Sequence, residues 1–471
     1  MKVKRLELKG FRGFDEIVLD FDTTSKRPTV FIGNNGVGKS SILDSLAILL
    51  SYFVSELHRD PKSSKQGRFA EIGKTLDRHD TNNSYKESGK QADLTISIQA
   101  KNEKNYQWNA LNPIGKSAVG NQVEKLVNNI IDTQHESIQD IPIILYYSVN
   151  RFIPEIYLEN TLNNNEFQNP LDAYENSLAY YNLRSIDEIG ALMRINQMPS
   201  SMPTLSYRGA RPKSDLEKKT ITFDAFFEWF KYIEDLENER IRDDANYQDK
   251  KLVAVREAVY SLIPDFSDLR IRRSPLQMTV NKIIGDKVEE LSIDQLSDGE
   301  KCLLAMVGDI ARRLAIANPS LDDPLQGEGI VLIDEIELHL HPQWQHKIIP
   351  RLTETFPNCQ FIVTTHSPQV LSHVQPENIY ILQSTPNGII ASHPESSYGR
   401  DSNQILEDYM GTPERPQDIK DKILEIFQVI DQNDLGQAKK LCESLGSEIG
   451  SDEPELIRAR AVIKRKEILG K

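Results

Sequence analysis

Hydrophobic and polar residues alternate in the first part of the chain, with apolar positions at Leu6 and Leu8 and again at Ile17 and Leu19. Successive side chains of a strand point to opposite faces, so this alternation predicts two strands joined by a turn at residues 10–13. Other alternating or continuously apolar segments predict further strands: 93–98, 141–149, 329–333, 360–364, 378–382 and 388–392.

A helical period replaces this alternation elsewhere. Apolar residues at Ile42, Leu46, Leu50 and Leu57 predict an amphipathic helix. The same period predicts a helix at 302–315 and helices from 415 to the end of the sequence. It also predicts an exposed pair of helices within 223–262. The polar segment 58–92 predicts a long surface loop, and residues 155–215 are polar and irregular.

Composition limits the classes of protein that fit. The chain has 471 residues, 39% of them hydrophobic, which is enough for a large core in two or three domains. It has no apolar run of 18 residues, so we expect no membrane span. The net charge of −14 disfavours non-specific nucleic-acid binding. The basic clusters at 270–273 and 464–466 are still compatible with a local basic patch that binds nucleic acid. Three distant cysteines, without a C-x-x-C pair, favour a reducing cytoplasm over zinc or disulfides.

One stretch fits the phosphate-loop pattern G-x-x-x-x-G-K-[ST] at every fixed position: Gly33, Asn34, Asn35, Gly36, Val37, Gly38, Lys39 and Ser40, followed by Ser41. It lies between a predicted strand and a predicted helix, which is the context that the motif requires. Glycines let backbone N–H groups face phosphate oxygens, and the helix start favours an anion. Lys39 can reach the β- and γ-phosphates and Ser40 can hold Mg²⁺, so we predict a bound nucleoside triphosphate.

Three further motifs follow. Ser297, Asp298, Gly299 and Glu300 precede a predicted helix, where Ser297 and Glu300 can form a capping box. The apolar strand 330–333 ends at Asp334 and Glu335, and the next strand ends before His366. The Asp334 carboxylate is suited to binding Mg²⁺, and the Glu335 carboxylate is suited to activating water.

In this order, the four motifs resemble those of the ABC ATPase superfamily. The resemblance implies an α/β head with a mixed sheet and helices. It implies that Lys39, Asp334 and Ser40 hold ATP and Mg²⁺, that Glu335 is the base, and that His366 contacts the γ-phosphate. It also implies a homodimer in which Ser297 and the following Asp298 and Gly299 of one copy contact ATP held by the other copy. By the same resemblance Arg12 reaches phosphate, although it can equally be a surface arginine.

Spacing narrows the branch of the superfamily. ABC transporters place only about a hundred residues between the phosphate loop and the signature motif. In this chain the interval from Ser40 to Ser297 is far longer. SMC and Rad-type ATPases place long coiled coils there, but this interval has no sustained heptads. The segment 334–342, with the Thr365-His366-Ser367-Pro368 segment, resembles RecF/OLD-like ATPases. The residues after His366 lack the Asp-x-Asp pair of a Toprim nuclease, so we expect no nuclease centre.

Two sets of polar residues have more open roles. His339, His341 and His346 could share a metal if the first two lie on a strand, but we favour a structural role. Asn150 and Arg151, at the end of a predicted strand, are candidates for the remaining Mg²⁺-shell position.

The segment 398–406, Arg415-Pro416 and the acidic helical tail resemble PtuA-type ATPases of Septu and related retron anti-phage systems. This resemblance divides the chain into two halves of an ATPase head (1–150 and 266–395), a helical or irregular insertion (151–265) and a partner-binding helical tail (396–471). It implies a slow cytoplasmic ATPase, in a dimer or higher oligomer, that controls a separate HNH nuclease of PtuB type and meets DNA at most indirectly.

Two other functions fit the same motifs. A RecF-like clamp in DNA repair would need a basic groove despite the acidic total charge. A nucleotide sensor would bind ATP and barely hydrolyse it.

Overall fold

The computed structural model describes residues 1–24, 27–58, 76, 78–88, 90–111, 120–131, 140–149, 173–174, 223–386 and 388–470. They form two compact units, Met1–Arg400 and Asp401–Lys471. Most of the predicted insertion at 151–265 lies outside the described residues, so the four-part division of the chain stays a prediction.

The described strands are β1 (Lys2–Phe11), β2 (Phe14–Asp20), β3 (Thr29–Gly33), β4 (Asp93–Gln99), β5 (Asn105–Leu111), β6 (Ile143–Tyr147), β7 (Phe266–Arg273), β8 (Leu276–Ile284), β9 (Lys287–Ser292), β10 (Gly329–Ile333), β11 (Cys359–Thr364), β12 (Ile379–Thr385) and β13 (Gly388–Ser392). The described helices are α1 (Lys39–Leu57), α2 (Asn83–Glu87), α3 (Gly120–Ile131), α4 (Phe223–Arg240), α5 (Lys250–Leu262), α6 (Asp298–Ala317), α7 (Pro342–Gln345), α8 (Ile348–Thr355), α9 (Pro368–Leu371), α10 (Ser402–Met410), α11 (Gln417–Asp431), α12 (Leu435–Ile449) and α13 (Pro454–Leu469).

The alternating N-terminal segment forms an antiparallel sheet in the order β2-β1-β4-β5. Leu6 pairs with Leu19 and Leu8 with Ile17, so the apolar positions of β1 and β2 share one face. All four side chains are buried, whereas their neighbours Val18 and Glu7 are not. The two strands and the turn predicted from the alternation are therefore confirmed.

A six-stranded sheet, in the order β13-β12-β3-β11-β10-β6, forms the centre of the first unit. Its strands run parallel except β13, which is antiparallel to β12. Strands β6, β10 and β11 are buried along their whole length, as expected for strands with both faces covered. This mixed sheet with its helices confirms the predicted α/β fold class.

Helix α1 follows β3 and is buried on most of its surface, including the polar Asp44, Ser45 and Ser51. The predicted helix is therefore confirmed, with Ile42, Leu46, Leu50 and Leu57 all buried, but its buried surface extends beyond one face. Sheet β2-β1-β4-β5 contributes Trp108, whose indole N–H donates to Leu49 O at 2.8 Å. Of the described helices, α1 alone is long and apolar enough for a membrane span, and 72% of that window is buried inside the protein.

The sheet β7-β8-β9 carries the arginine cluster that the sequence left open as a nucleic-acid patch. Arg272 pairs with Glu290 at 2.6 Å and Arg273 with Asp235 at 2.5 Å. Arg270 also lies within 3.4 Å of Glu290. These ion pairs neutralise the cluster, which favours a salt-bridged surface over a phosphate-binding one.

The segment 58–92 is not wholly the loop that its polarity predicts. Residues 59–75 lie outside the described part, but Arg78–Asp80 form a 3₁₀ turn and α2 follows. Asn82 caps α2 by accepting from Tyr85 N at 2.9 Å. The same segment bonds to the β1–β2 turn, through Arg12 N to Asp80 O at 2.6 Å and Asn82 N to Gly10 O at 2.9 Å. These contacts, absent from the local sequence pattern, order the segment.

Helices α10 to α13 make up the second unit, as the tail pattern predicts. Its core is an apolar cluster from α11, α12 and α13: Ile423, Ile426, Val429, Ile430, Ala438, Cys442, Leu445, Leu456, Ala459 and Ile463. The predicted helices from 415 onward are confirmed.

Candidate functional site

Three neighbouring parallel strands end at one edge of the central sheet. Phe31 of β3 lies beside Thr364 of β11, and Val363 lies beside Ile333 of β10. The loops that leave these strands therefore meet at the same edge, which is where α/β sheets bind ligands. The topology brings the phosphate loop, the Asp334-Glu335 pair and the His366 segment together.

The phosphate loop requires glycine at two positions. Gly33 has φ of 144° and Gly38 has φ of 107°, both in the left-handed region. A Cβ on Gly33 would lie 2.5 Å from Leu382 O, and one on Gly38 would lie 2.6 Å from the Phe14 ring. Between them, residues 34–36 are exposed and Val37 is buried, so the loop is anchored and its tip faces solvent.

Lys39 lies over this loop. Its Nζ donates to Gly33 O at 2.8 Å and to Asn34 O at 3.1 Å. Burial lowers the pKa of Lys39, and the nearby carboxylates of Asp334, Glu335 and Glu337 oppose that shift. The three carboxylates are therefore close enough to act on the ammonium, although they lie far from it in the sequence.

A single hydroxyl group organises the two carboxylates at the end of β10. Thr364 Oγ1 donates to Asp334 Oδ1 at 2.5 Å and accepts from Glu335 N at 2.7 Å. Asp334 is buried, whereas Glu335 is partly exposed and has φ of 49°. A non-glycine residue at positive φ is unusual and persists where its surroundings fix it. The turn thus points two adjacent carboxylates into different environments.

Glu337 is a site residue that the sequence motifs did not identify. Its Oε1 accepts from His366 N at 2.5 Å and its Oε2 accepts from Thr365 Oγ1 at 2.7 Å. The segment before α9 is thereby tied to the turn after β10. No local pattern signals this contact, because it depends on the pairing of β10 with β11.

Residues 297–300, the signature segment, begin α6 with the predicted capping box. Ser297 Oγ accepts from Glu300 N at 3.4 Å, and Glu300 Oε2 accepts from Ser297 N at 3.0 Å. The Asp298 side chain is 82% exposed and lies 3.7 Å from Lys301 Nζ. The Asp298 carboxylate thus faces solvent with the Lys301 ammonium near it.

Gly299 packs against the turn after β10, where an added Cβ would lie 2.8 Å from His339 O. We therefore expect Gly299→Ala to push the start of α6 from that turn and to lower ATP turnover about tenfold, because small displacements of reacting groups are costly. Steady-state hydrolysis, with circular dichroism to check folding, measures this. Gly436→Ala, whose added Cβ would meet only the Asp434 side chain at 3.7 Å, is the control. Equal turnover in both variants would contradict the prediction.

Arg12 connects the β1–β2 turn to α1. Its guanidinium donates to Asp44 Oδ2 at 2.5 Å and to Asp80 Oδ1 at 2.8 Å, and lies 3.4 Å from Ser41 Oγ. Burial lowers the pKa of Arg12, but the two carboxylates outweigh burial and raise it. Arg12 therefore braces the helix that carries Lys39 and Ser40, and its contact with phosphate stays a prediction.

A buried charge cluster connects α6 to the strand beside Asp334. Asp309 accepts from Arg312 at 2.7 Å, from Arg313 at 2.8 Å and from the Tyr147 hydroxyl at 3.0 Å. Tyr147 O in turn accepts from Asp334 N at 2.8 Å. Burial opposes ionisation of Asp309, but Arg313 and Arg312 outweigh it and lower its pKa to about 2. The helix of the signature segment is thus linked to the Asp334 strand.

The three histidines after β10 do not lie on a strand, so that part of the metal argument was wrong. His339 is in a turn with φ of 65°, and His341 caps α7 by accepting from Gln343 N at 3.3 Å. His346 stacks edge-on against His373 with 5.4 Å between ring centroids. Within the described ranges, no group of three or more metal-binding side chains occurs. Asn150 and Arg151 lie outside those ranges.

Several known proteins resemble this chain. A probable ATPase of retron Ec83 from Escherichia coli is 31% identical, covering 99% of this chain and 87% of that protein. The Septu protein PtuA of Bacillus mycoides is 36% identical over 25% of this chain and 18% of its own length. The predicted resemblance to Septu and retron ATPases is confirmed. Among solved structures, the SMC head domain from Thermotoga maritima is 15% identical, covers 84% of this chain and 100% of its own, and has a TM-score of 0.38.

A family model, described as an AAA ATPase domain, matches residues 1–371. This match covers the phosphate loop, the signature segment, the Asp334-Glu335 pair and His366. The chain belongs to the AAA ATPase domain family.

Proposed function

We propose that this protein hydrolyses ATP to ADP and phosphate in a dimer that encloses the nucleotide, and that it thereby controls a separate nuclease in anti-phage defence. The observation that carries the ATPase part is the meeting of Lys39, Asp334, Glu335 and His366 at the ends of three adjacent strands. The names of the retron and Septu relatives support the defence part.

The residues at this edge fit Mg²⁺ and a triphosphate. At Gly33 and Gly38 the phosphate loop packs too closely against Leu382 O and the Phe14 ring to admit a side chain. Lys39 already holds its ammonium against two carbonyl oxygens, which are weaker partners than phosphate oxygens. Ser40 and Asp334 would hold Mg²⁺, which when bound neutralises charge on the β- and γ-phosphates.

Glu335 is the group that we assign to activation of water. In the proposed step, the oxygen of water bonds to the γ-phosphorus while the bond from phosphorus to the β,γ-bridging oxygen breaks. Glu335 takes a proton from the water, and ADP leaves with the bridging oxygen. His366 donates to the γ-phosphate and Lys39 stabilises its charge.

The signature segment supports a dimer. Ser297 and Asp298 lie at an exposed helix start. The N-terminus of a helix favours an anion, so a phosphate of the nucleotide bound to a second copy could lie there. We assign the C-terminal helical unit to binding of an HNH nuclease of PtuB type, in the cytoplasm. We expect this chain by itself to cut no DNA.

Affinity purification of the tagged chain, expressed with its genomic neighbours and followed by mass spectrometry with and without ATP, tests the defence part. A small HNH nuclease at fixed stoichiometry is the expected result. A homodimer without a nuclease would contradict it and would favour the DNA-clamp function, which ATP-stimulated duplex binding would then test.

A further inference from the structure

The turn after β10 contains a second acidic residue, Glu337, in addition to the proposed base. Glu335 O accepts from Leu338 N at 2.9 Å, and Glu337 O accepts from Leu340 N at 2.9 Å. Two overlapping turns, 335–338 and 337–340, thus contain Glu335 and Glu337. Ile336 N also donates to Thr364 O at 3.0 Å, which fixes this turn to the end of β11.

Both oxygens of the Glu337 carboxylate are used within one short segment. Oε1 accepts from His366 N at 2.5 Å, and Oε2 accepts from Thr365 Oγ1 at 2.7 Å. Hydrogen bonds to an ionised acceptor are about twice as strong as neutral ones. Because one bond ends on the backbone of His366 itself, the carboxylate fixes the point from which the imidazole extends.

The carboxylate of Glu337 is one of three near Lys39. Asp334, Glu335 and Glu337 all act on its ammonium, so three carboxylates converge where a triphosphate would bind. The two donors from 365–366 are the only contacts of the Glu337 side chain that the described residues show at hydrogen-bond distance.

We propose that Glu337 is a positioning residue that holds His366 at a fixed distance from Glu335, and so aligns the γ-phosphate contact with the attacking water. This inference rests on the proposed ATPase function. Glu337 contacts no reacting atom, and its effect passes through the backbone of His366.

Three variants separate positioning from direct chemistry. Glu337→Ala removes both acceptors, and we expect kcat to fall about tenfold or more with little change in KM. Glu337→Gln keeps an acceptor for His366 N, and the Thr365 hydroxyl can rotate to accept from the amide, so most of the kcat should return. In a His366→Ala background, Glu337→Ala should cause no further loss, because the group through which it acts is already gone.

Steady-state hydrolysis over a range of ATP concentrations gives kcat and KM, and a fluorescent ATP analogue measures binding. Glu354→Gln is the matched control, since Glu354 is exposed on α8. A normal kcat in Glu337→Ala would overturn the inference. A Glu337→Gln variant as slow as Glu337→Ala would also overturn it, because that result would indicate that the charge itself is used. So would an equal loss of kcat from Glu337→Ala in the wild-type and His366→Ala backgrounds.

Hydrogen exchange of the His366 amide gives a readout independent of catalysis. The amide should exchange faster in Glu337→Ala than in the wild type and return toward the wild-type rate in Glu337→Gln. If the wild type shows no turnover, the proposed ATPase function fails while exchange still reports the contact. Unchanged exchange in Glu337→Ala would overturn the contact itself.

Discussion

Replacing Glu335 by glutamine is expected to slow ATP hydrolysis by about 10²- to 10⁴-fold, which is the usual contribution of a positioned base. Glutamine has nearly the same shape, and the bond from Glu335 N to Thr364 Oγ1 does not involve the side chain. The turn should therefore stay intact while the ability to take a proton is lost. Phosphate release under single-turnover conditions measures the rate.

Nucleotide affinity should stay the same or rise in this variant, because a negative charge near the triphosphate is removed. Glu395→Gln, at an exposed carboxylate, is the control for the substitution itself. In sedimentation experiments with ATP, the variant should accumulate as the proposed dimer that encloses the nucleotide. Unchanged turnover in Glu335→Gln would mean that Glu335 is not the base, and would favour the nucleotide-sensor function.

Replacing Asp309 by asparagine should destabilise the first unit by about 3–5 kcal/mol, which is typical of breaking a buried ion pair. Asp309, Arg312 and Arg313 are all buried, with side chains no more than 7% exposed. Without the carboxylate, Arg312 and Arg313 would lose the buried ion pairs that they form with Asp309. The three tryptophans, Trp108, Trp229 and Trp344, all lie before residue 400, so their fluorescence in a urea titration reports unfolding of this unit.

Asp322→Asn, at an exposed carboxylate near the end of α6, is the control and should leave the midpoint unchanged. The pH dependence gives a second check on the same cluster. Because the folded pKa of Asp309 is lowered to about 2 from 3.8, its stabilisation is present above about pH 4 and is lost as the pH falls through 2. The wild type should lose more stability than Asp309→Asn over that interval. A difference below about 1 kcal/mol between the two proteins at pH 7 would show that the cluster contributes little.

Asp309 also has a consequence for the proposed site. It bonds the Tyr147 hydroxyl, and Tyr147 O accepts from Asp334 N. Helix α6 begins at the signature segment. Movement of α6 would therefore shift Tyr147 and, through it, the backbone at Asp334. This linkage gives a physical route by which a second copy at the signature segment could influence hydrolysis.

Local patterns determined most of the elements. Alternation predicted β1 and β2, continuous apolar runs predicted β10 and β11, and Ser297 with Glu300 predicted the start of α6. These predictions succeed because period, capping and turn chemistry act within a few residues. The nature of α1 escaped the pattern because burial on most sides depends on the sheets around it.

The sequence by itself also determined the candidate chemistry, since a glycine-rich loop with lysine and serine and a strand ending in two carboxylates have few other uses. Only the tertiary structure decided how these residues are held. Thr364 organises Asp334 and Glu335, and Glu337 fixes His366, across about thirty positions of sequence. His346 and Arg272 likewise meet partners that are distant in sequence, His373 and Glu290. Such contacts follow from which strands become neighbours, and a linear pattern does not contain that information.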